Sequence, residues 1–166
     1  MPLINPDIAY KILDMSTLQS RLHHWRAVGG RVVFTNGCFD ILHRGHIDLL
    51  AECRHMGDYV VLGLNSDASV KKLKGPHRPV NDQLSRAVVM AALSLVDAVI
   101  IFEEDTPLEI ITEIKPDILV KGGDYKASDV VGAQIVKALG GEVRIVPLVE
   151  GYSTTATVSR MPPSQK

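Results

Sequence analysis

Two cysteines in 166 residues, Cys38 and Cys53, are too few and too irregularly placed for a disulfide framework or a zinc knuckle. Each reads as a small buried or half-buried side chain rather than a reactive thiol. Charge of one sign is also lacking: 18 Lys and Arg against 19 Asp and Glu leave a formal charge of −1. No electrostatic footprint for nucleic acid or an anionic membrane results. No apolar run approaches the roughly 20 residues needed to span a bilayer. The N-terminus lacks the basic-then-apolar pattern of a secretory signal, so the expected compartment is the cytoplasm. Internal repeats, low-complexity blocks and linkers are missing too, which leaves a single domain over 1–166. Three chemical signatures are absent. Without G-x-G-x-x-G a dinucleotide cofactor has little support, and without G-x-x-x-x-G-K-[ST] a P-loop kinase has little either. There is no G-x-S-x-G elbow to present a nucleophilic serine.

What is present is an alternation of strand-like and helix-like segments. Ile8, Ile12, Leu13, Leu18, Leu22 and Trp25 predict helical segments between Ile8 and Val28. Ser16 and Gln19 fit a capping box for the second of them, so residues 1–30 read as an N-terminal helical extension. Strands follow at Arg31–Phe34, Tyr59–Asn65, Asp97–Phe102, Asp117–Lys121 and Glu142–Pro147. Between them lie helical patterns from Ile47, from Gln83 to Leu95 with Leu84, Val88, Ala91, Ala92 and Leu95 on its apolar side, and from Val130 to Leu139. A further helix is expected through Ile114, with Thr106 as N-cap and Pro107 at its first position. Residues 66–79 read as a basic, broken loop. From Ser153 a last helix is expected, with a frayed tail to 166. Five strands alternating with helices predict an α/β fold: a Rossmann-like open parallel sheet with helices on both faces. The loops at the strands' carboxyl ends, 35–46, 65–79, 121–125 and 148–155, then converge on one crevice.

The first of those loops holds the densest pattern, Thr35-Asn36-Gly37-Cys38-Phe39-Asp40-Ile41-Leu42-His43-Arg44-Gly45-His46. It runs from a strand into a helix start, where unpaired N–H groups and the positive end of the dipole attract anions. His43 and His46 share one helix face at i and i+3. Gly45 between them leaves room for phosphates to approach the backbone. Imidazoles can donate hydrogen bonds to phosphoryl oxygens, so the stretch points to phosphate chemistry. Nucleotidyl transfer needs mainly positioning and charge stabilisation, which suits a site of histidines, lysines and backbone donors.

The pattern G-x-F-D-x-x-H-x-G-H between strand and helix resembles the HxGH nucleotidyltransferase superfamily. Further phrases carry the resemblance over about 35–155: G-L-N-S-D-A-S-V, R-P-V-N, V-D-A-V-I-I-F, P-D-I-L-V-K-G-G-D-Y and Y-S-T-T. Within the superfamily they are similar to the adenylyltransferases that make ADP-heptose for lipopolysaccharide. The resemblance implies transfer of AMP from ATP to D-glycero-β-D-manno-heptose 1-phosphate, with Mg²⁺ accompanying ATP. It also implies a separate heptose kinase, and a homodimer is expected.

By the same resemblance, His43 and His46 are catalytic, stabilising the α- and β-phosphates, together with Lys74 or, second, Lys71. Thr35, Asn36, Gly37, Cys38, Phe39, Gly45, Lys121, Gly122, Ser153, Thr154 and Thr155 are the nucleotide-binding set. Asp40, Arg78, Arg86 and Asp124 are assigned to the acceptor, and Asp40 also to the loop's shape. No protein metal ligands are assigned. Lys72 reads as a solvated charge, and Arg160 matches the family's second motif imperfectly. Rival readings are a cytidylyltransferase for glycerol phosphate or an amino-alcohol phosphate, and a non-catalytic nucleotide-binding module. Against the first, Ser94-Leu95-Val96-Asp97 stands where such relatives carry R-Y-V-D.

Overall fold

The computed structural model describes residues 4–147, 151, 152 and 154. Its elements are α1 (Pro6–Ala9), β1 (Ile12–Leu13), α2 (Met15–Ala27), β2 (Val32–Gly37), α3 (Arg44–Met56), β3 (Tyr59–Asn65) and α4 (Asp67–Lys74). They continue with α5 (Gln83–Ala91), β4 (Ala98–Phe102), α6 (Leu108–Ile114), β5 (Ile118–Gly122), α7 (Ala133–Ala138) and β6 (Glu142–Val146). All strand pairs are parallel, in the order β1-β4-β3-β2-β5-β6. The open α/β sheet is as expected, but among the described residues it has six strands rather than five.

The additional strand lies inside the expected helical extension. Ile12 and Leu13 pair with Val99 and Ile100 at the sheet edge, and the Lys11 ammonium ties the strand down by donating to the carbonyls of Leu93 and Val96. Asp14, not Ser16, caps α2 by accepting the Thr17 N–H at 2.7 Å. Gln19 donates instead to the Glu113 carbonyl, so the expected capping box does not form.

Alternation along the strands sorts the core into two layers. Val33, Val60, Leu62, Leu64, Ile118 and Val120 face α3 and α5, which contribute Leu50, Cys53, Ala87, Met90 and Ala91. Val32, Phe34, Val61, Ile100 and Leu119 face the other way, onto Leu18, Leu22 and Trp25 of α2 and onto Ile110, Ile111, Ile114 and Val136 of α6 and α7. Gly63 belongs to this second face, where a Cβ would sit 2.7 Å from the Phe34 ring.

Three further boundaries differ from expectation. Residues 67–74 are helix, not loop, because Ser66 caps them by accepting the Ser69 N–H. Helix α5 ends at Ala91, and its buried face is Arg86, Ala87, Met90 and Ala91 rather than the expected apolar stripe. Pro107 occupies the N-cap of α6, one position later than expected. The helix expected from Ser153 lies outside the described residues apart from Thr154, which is helical.

From β2 the chain first builds outward through β3 and β4, then returns to place β5 on the other side of β2. The carboxyl ends of β2 and β5 therefore border the point where the winding reverses, the usual binding crevice of an open α/β sheet. Among the described residues no helix is long and apolar enough to cross a membrane.

Candidate active site

The loop leaving β2 is held in an unusual shape. Phe39 adopts φ +41° with its side chain buried, a region bulky residues rarely enter. Its ring lies over Gly37, where a Cβ would come within 3.0 Å of it, and against His46 with centroids 5.0 Å apart. Phe39, assigned to nucleotide binding, thus has its side chain committed to backing the His46 ring.

His43 is the N-cap of α3 and His46 lies in its first turn. The two imidazoles stack with centroids 3.8 Å apart and an 18° tilt. His46 Nδ1 accepts the His43 backbone N–H at 3.4 Å, which leaves the His46 proton on Nε2, a donor for an incoming oxygen. Burial, followed by the neighbouring His43, pushes the His46 pKa down to about 4. Burial also lowers that of His43. Both rings are therefore neutral at pH 7. The His43 Nδ1 is buried and has no partner among the described residues.

Gly45 lies against the His43 ring. The space a Cβ would take is already lined by His43, whose Cε1 and Nδ1 would lie 3.2 Å away. The glycine makes room for the imidazole. Tyr152, which the sequence did not single out, packs beside it. Its ring is 6.4 Å from that of His43, and the Arg44 guanidinium lies 6.0 Å above it.

Asp40, assigned to the loop's shape as well as to the acceptor, and Arg86, assigned to the acceptor, both make several hydrogen bonds within the fold. The Asp40 carboxylate accepts Arg78 Nε at 2.7 Å and the N–H groups of Val80 and Asn81 at 2.9 Å. Burial would raise its pKa, but the Asn81 and Val80 amides and Arg78 outweigh that and hold it below the ordinary value. Arg86 is 1% exposed and donates to the carbonyls of Asn81, Cys38 and Asn65 and to the Asp67 carboxylate. Together Asp40 and Arg86 bind the histidine loop to the 75–82 segment, the end of β3 and the start of α4. Their supporting residues Asn65, Asp67, Val80 and Asn81 were missed in the sequence, although R-P-V-N marked the neighbourhood.

The lysines separate. Lys72 pairs with Asp105 at the surface, 2.8 Å away, as expected of a solvated charge. Lys74, at the end of α4, lies close enough to Cys38 and Lys121 for its charge to act on both. Lys71 stands one helical turn earlier, and both it and Lys74 are exposed. At the end of β5, Lys121 is half-buried; burial, with Lys74 nearby, lowers its pKa despite the opposing influence of Cys38. Burial raises the Cys38 thiol against the pull of Lys74, Arg86 and Arg78, and pushes Cys53 up to about 12.

Of the remaining assigned residues, Thr35 is wholly buried, and its Oγ1 has no partner among the described residues. Asn36 is half-buried, and Gly122 pairs with Val146 in the sheet. Asp124 is exposed beyond β5. Ser153 and Thr155 lie outside the described residues, as does Arg160; Thr154 is half-buried.

A helix-start histidine pair at the switch point of a parallel sheet defines a class, and the cytidylyltransferase-like family matches residues 34–160. The chain belongs to that family. It is 56% identical over 149 residues to the bifunctional protein HldE of Hyphomonas neptunium, covering 90% of this chain and 31% of that protein. It is 57% identical over 150 residues to the bifunctional protein HldE of Mesorhizobium japonicum, covering 90% and 30%. The chain thus spans about a third of the length of these curated relatives. Among solved structures, the lipopolysaccharide core biosynthesis protein from Thermoplasma volcanium is 30% identical, with TM-score 0.62, covering 75% of this chain and all of that one. A pantoate-beta-alanine ligase from Francisella tularensis shares the fold alone, at 14% identity and TM-score 0.61 over 92% of this chain and 73% of the ligase.

Proposed function

We propose that this chain is an adenylyltransferase that moves AMP from ATP to D-glycero-β-D-manno-heptose 1-phosphate, releasing pyrophosphate and ADP-heptose for lipopolysaccharide synthesis. The carrying observation is the stacked His43–His46 pair at the start of α3. The identity to HldE proteins and the likeness to a lipopolysaccharide core biosynthesis protein support the choice of pathway.

In this reading an oxygen of the acceptor's phosphate attacks the α-phosphorus in line. A new P–O bond forms as the bond to the bridging oxygen breaks, and the electron pair leaves with pyrophosphate. His46 Nε2–H and His43 donate to the phosphate oxygens as charge builds, and the helix N-terminus adds its dipole. Lys74 neutralises charge on the polyphosphate. Because the attacking atom is already an ionised phosphate oxygen, no protein nucleophile is required.

Among the described residues no group of three or more His, Cys, Asp or Glu side chains is arranged to hold a metal. In this proposal Mg²⁺ would arrive on the triphosphate, the ion's usual mode. Bound there, the ion supplies charge neutralisation of the phosphates. A kinase supplying the heptose 1-phosphate, a cytoplasmic setting and a homodimer belong to the same proposal. Pyrophosphate release across ATP, CTP and GTP against several sugar and polyol phosphates tests it. The expected outcome is turnover with ATP and the heptose phosphate; turnover with CTP and glycerol phosphate alone refutes it.

A further inference from the structure

Among the described residues, strand β6 closes one side of the sheet with nothing paired beyond it. The Glu142 N–H reaches back to the Asp117 carbonyl, and the Val146 carbonyl accepts the Gly123 N–H. The register with β5 is unbroken from Glu142 to Val146. Residues 142, 144 and 146 therefore turn their backbone groups inward, while Val143 and Ile145 turn theirs away from the sheet. No described group bonds to those outward donors and acceptors. A bare row of this kind is a template for another strand. The opposite edge, β1, is only two residues long and offers no comparable row.

The side chains say which strand fits. Glu142 and Arg144 stand two residues apart, 45% and 58% exposed, and within one chain they pair with each other and Glu142 with Arg31. Carboxylate and guanidinium alternating along an edge are complementary to a second copy of that edge run antiparallel. The registers that bring the open backbone groups together place a twofold axis at Val143, at Arg144 or at Ile145. With the axis at Ile145, Val143 meets Pro147, which has no N–H to give. With the axis at Arg144, that arginine faces its own counterpart. With the axis at Val143, the two valines exchange both backbone bonds, and Glu142 falls opposite the partner's Arg144 on either side of the axis. Unlike charges directly across a ladder stabilise it and like charges destabilise it. The axis at Val143 is the register that charge selects.

We propose that β6 is a self-pairing edge, through which two copies of the chain join in an antiparallel β6–β6 ladder about a twofold axis at Val143. The contact is isologous, so one pairing occupies the β6 edge of both copies and the assembly closes as a dimer. This rests on the homodimer reading above and adds its surface and register; it depends on no catalytic assignment.

Sedimentation velocity of the full chain over a concentration series tests it. The parent should be a dimer. Arg144→Glu sets carboxylates across from each other at both symmetric positions and should raise the dimer Kd about tenfold or more. Glu142→Arg should do the same with guanidinium groups, and serves if Arg144→Glu does not fold. The double variant Glu142→Arg with Arg144→Glu restores opposite charges in reversed order and should recover the dimer. A Kd that neither single variant changes, or a double variant no tighter than the singles, overturns this interface. So does a parent that sediments as a monomer throughout, whether the edge stays bare or another part of the chain covers it. Turnover is measured on the same samples: a dimeric parent that adenylates no sugar phosphate sinks the functional reading and keeps the interface, and an active monomer does the reverse.

Discussion

The imidazole of His46 lies against that of His43, centroids 3.8 Å apart, while its Nδ1 accepts the backbone N–H of the same residue. One contact orients the ring and the other fixes its tautomer. Two neutral donors therefore stand at a helix start before any ligand arrives, and no reorganisation is needed when charge develops.

Replacing either histidine should cost turnover rather than folding. A lost transition-state donor is worth about 2.7–4 kcal/mol in comparable sites, so His43→Ala and His46→Ala should each slow kcat by about 10²–10³. Steady-state kinetics beside a thermal melt checks this. Normal rates in well-folded variants would remove the roles assigned.

The depressed pKa of His46 ties stability to pH. At 6.5 the unfolded chain begins to bind a proton that the native ring refuses until about 4. Between these values the unfolded state holds more protons, so stability is full above 6.5 and declines as pH falls toward 4. Urea denaturation from pH 7 to 4 should show a shallower decline in His46→Asn than in the parent.

Gly45→Ala separates helix propensity from function. Alanine is a better helix residue than glycine by roughly 0.5–1 kcal/mol, but its Cβ would press on the His43 ring at 3.2 Å. Turnover should fall while thermal stability is kept or slightly raised. A variant with unchanged kcat would show that the ring can shift without consequence.

Arg86→Met should be strongly destabilising, because three carbonyls and the Asp67 carboxylate lose their buried donor together. Breaking a buried ion pair typically costs about 3–5 kcal/mol. Chemical denaturation gives the value directly, and a loss below about 1 kcal/mol would contradict the internal role.

Lys74→Ala should slow turnover far more than Lys72→Ala. The Lys72–Asp105 pair is surface-exposed, and such pairs contribute about 0–1 kcal/mol. The reverse order in parallel assays would move the catalytic lysine.

Much of this was legible in the chain. Strands β2 to β6 announced themselves as apolar runs between helical patterns, because a strand buried on both faces has no polar alternative. The histidine pair was equally plain, since i, i+3 spacing at a strand-to-helix junction is a local property. Strand β1 was not: Ile12 and Leu13 are too short to carry a period, and only the Val99 and Ile100 backbones make them a strand. The α4 helix was hidden by its own charges, lysines that suggested a loop until the Ser66 cap is seen.

The local chemistry of the sequence by itself determined the sheet, the helix start and the two imidazoles upon it. Tertiary structure alone decided which partners Asp40, Gly45 and Arg86 take. Their partners lie tens of residues away, or in the case of Gly45 in the volume beside a neighbouring ring. A buried arginine becomes tolerable only when distant carbonyls converge on it, and no local pattern along the chain records that convergence.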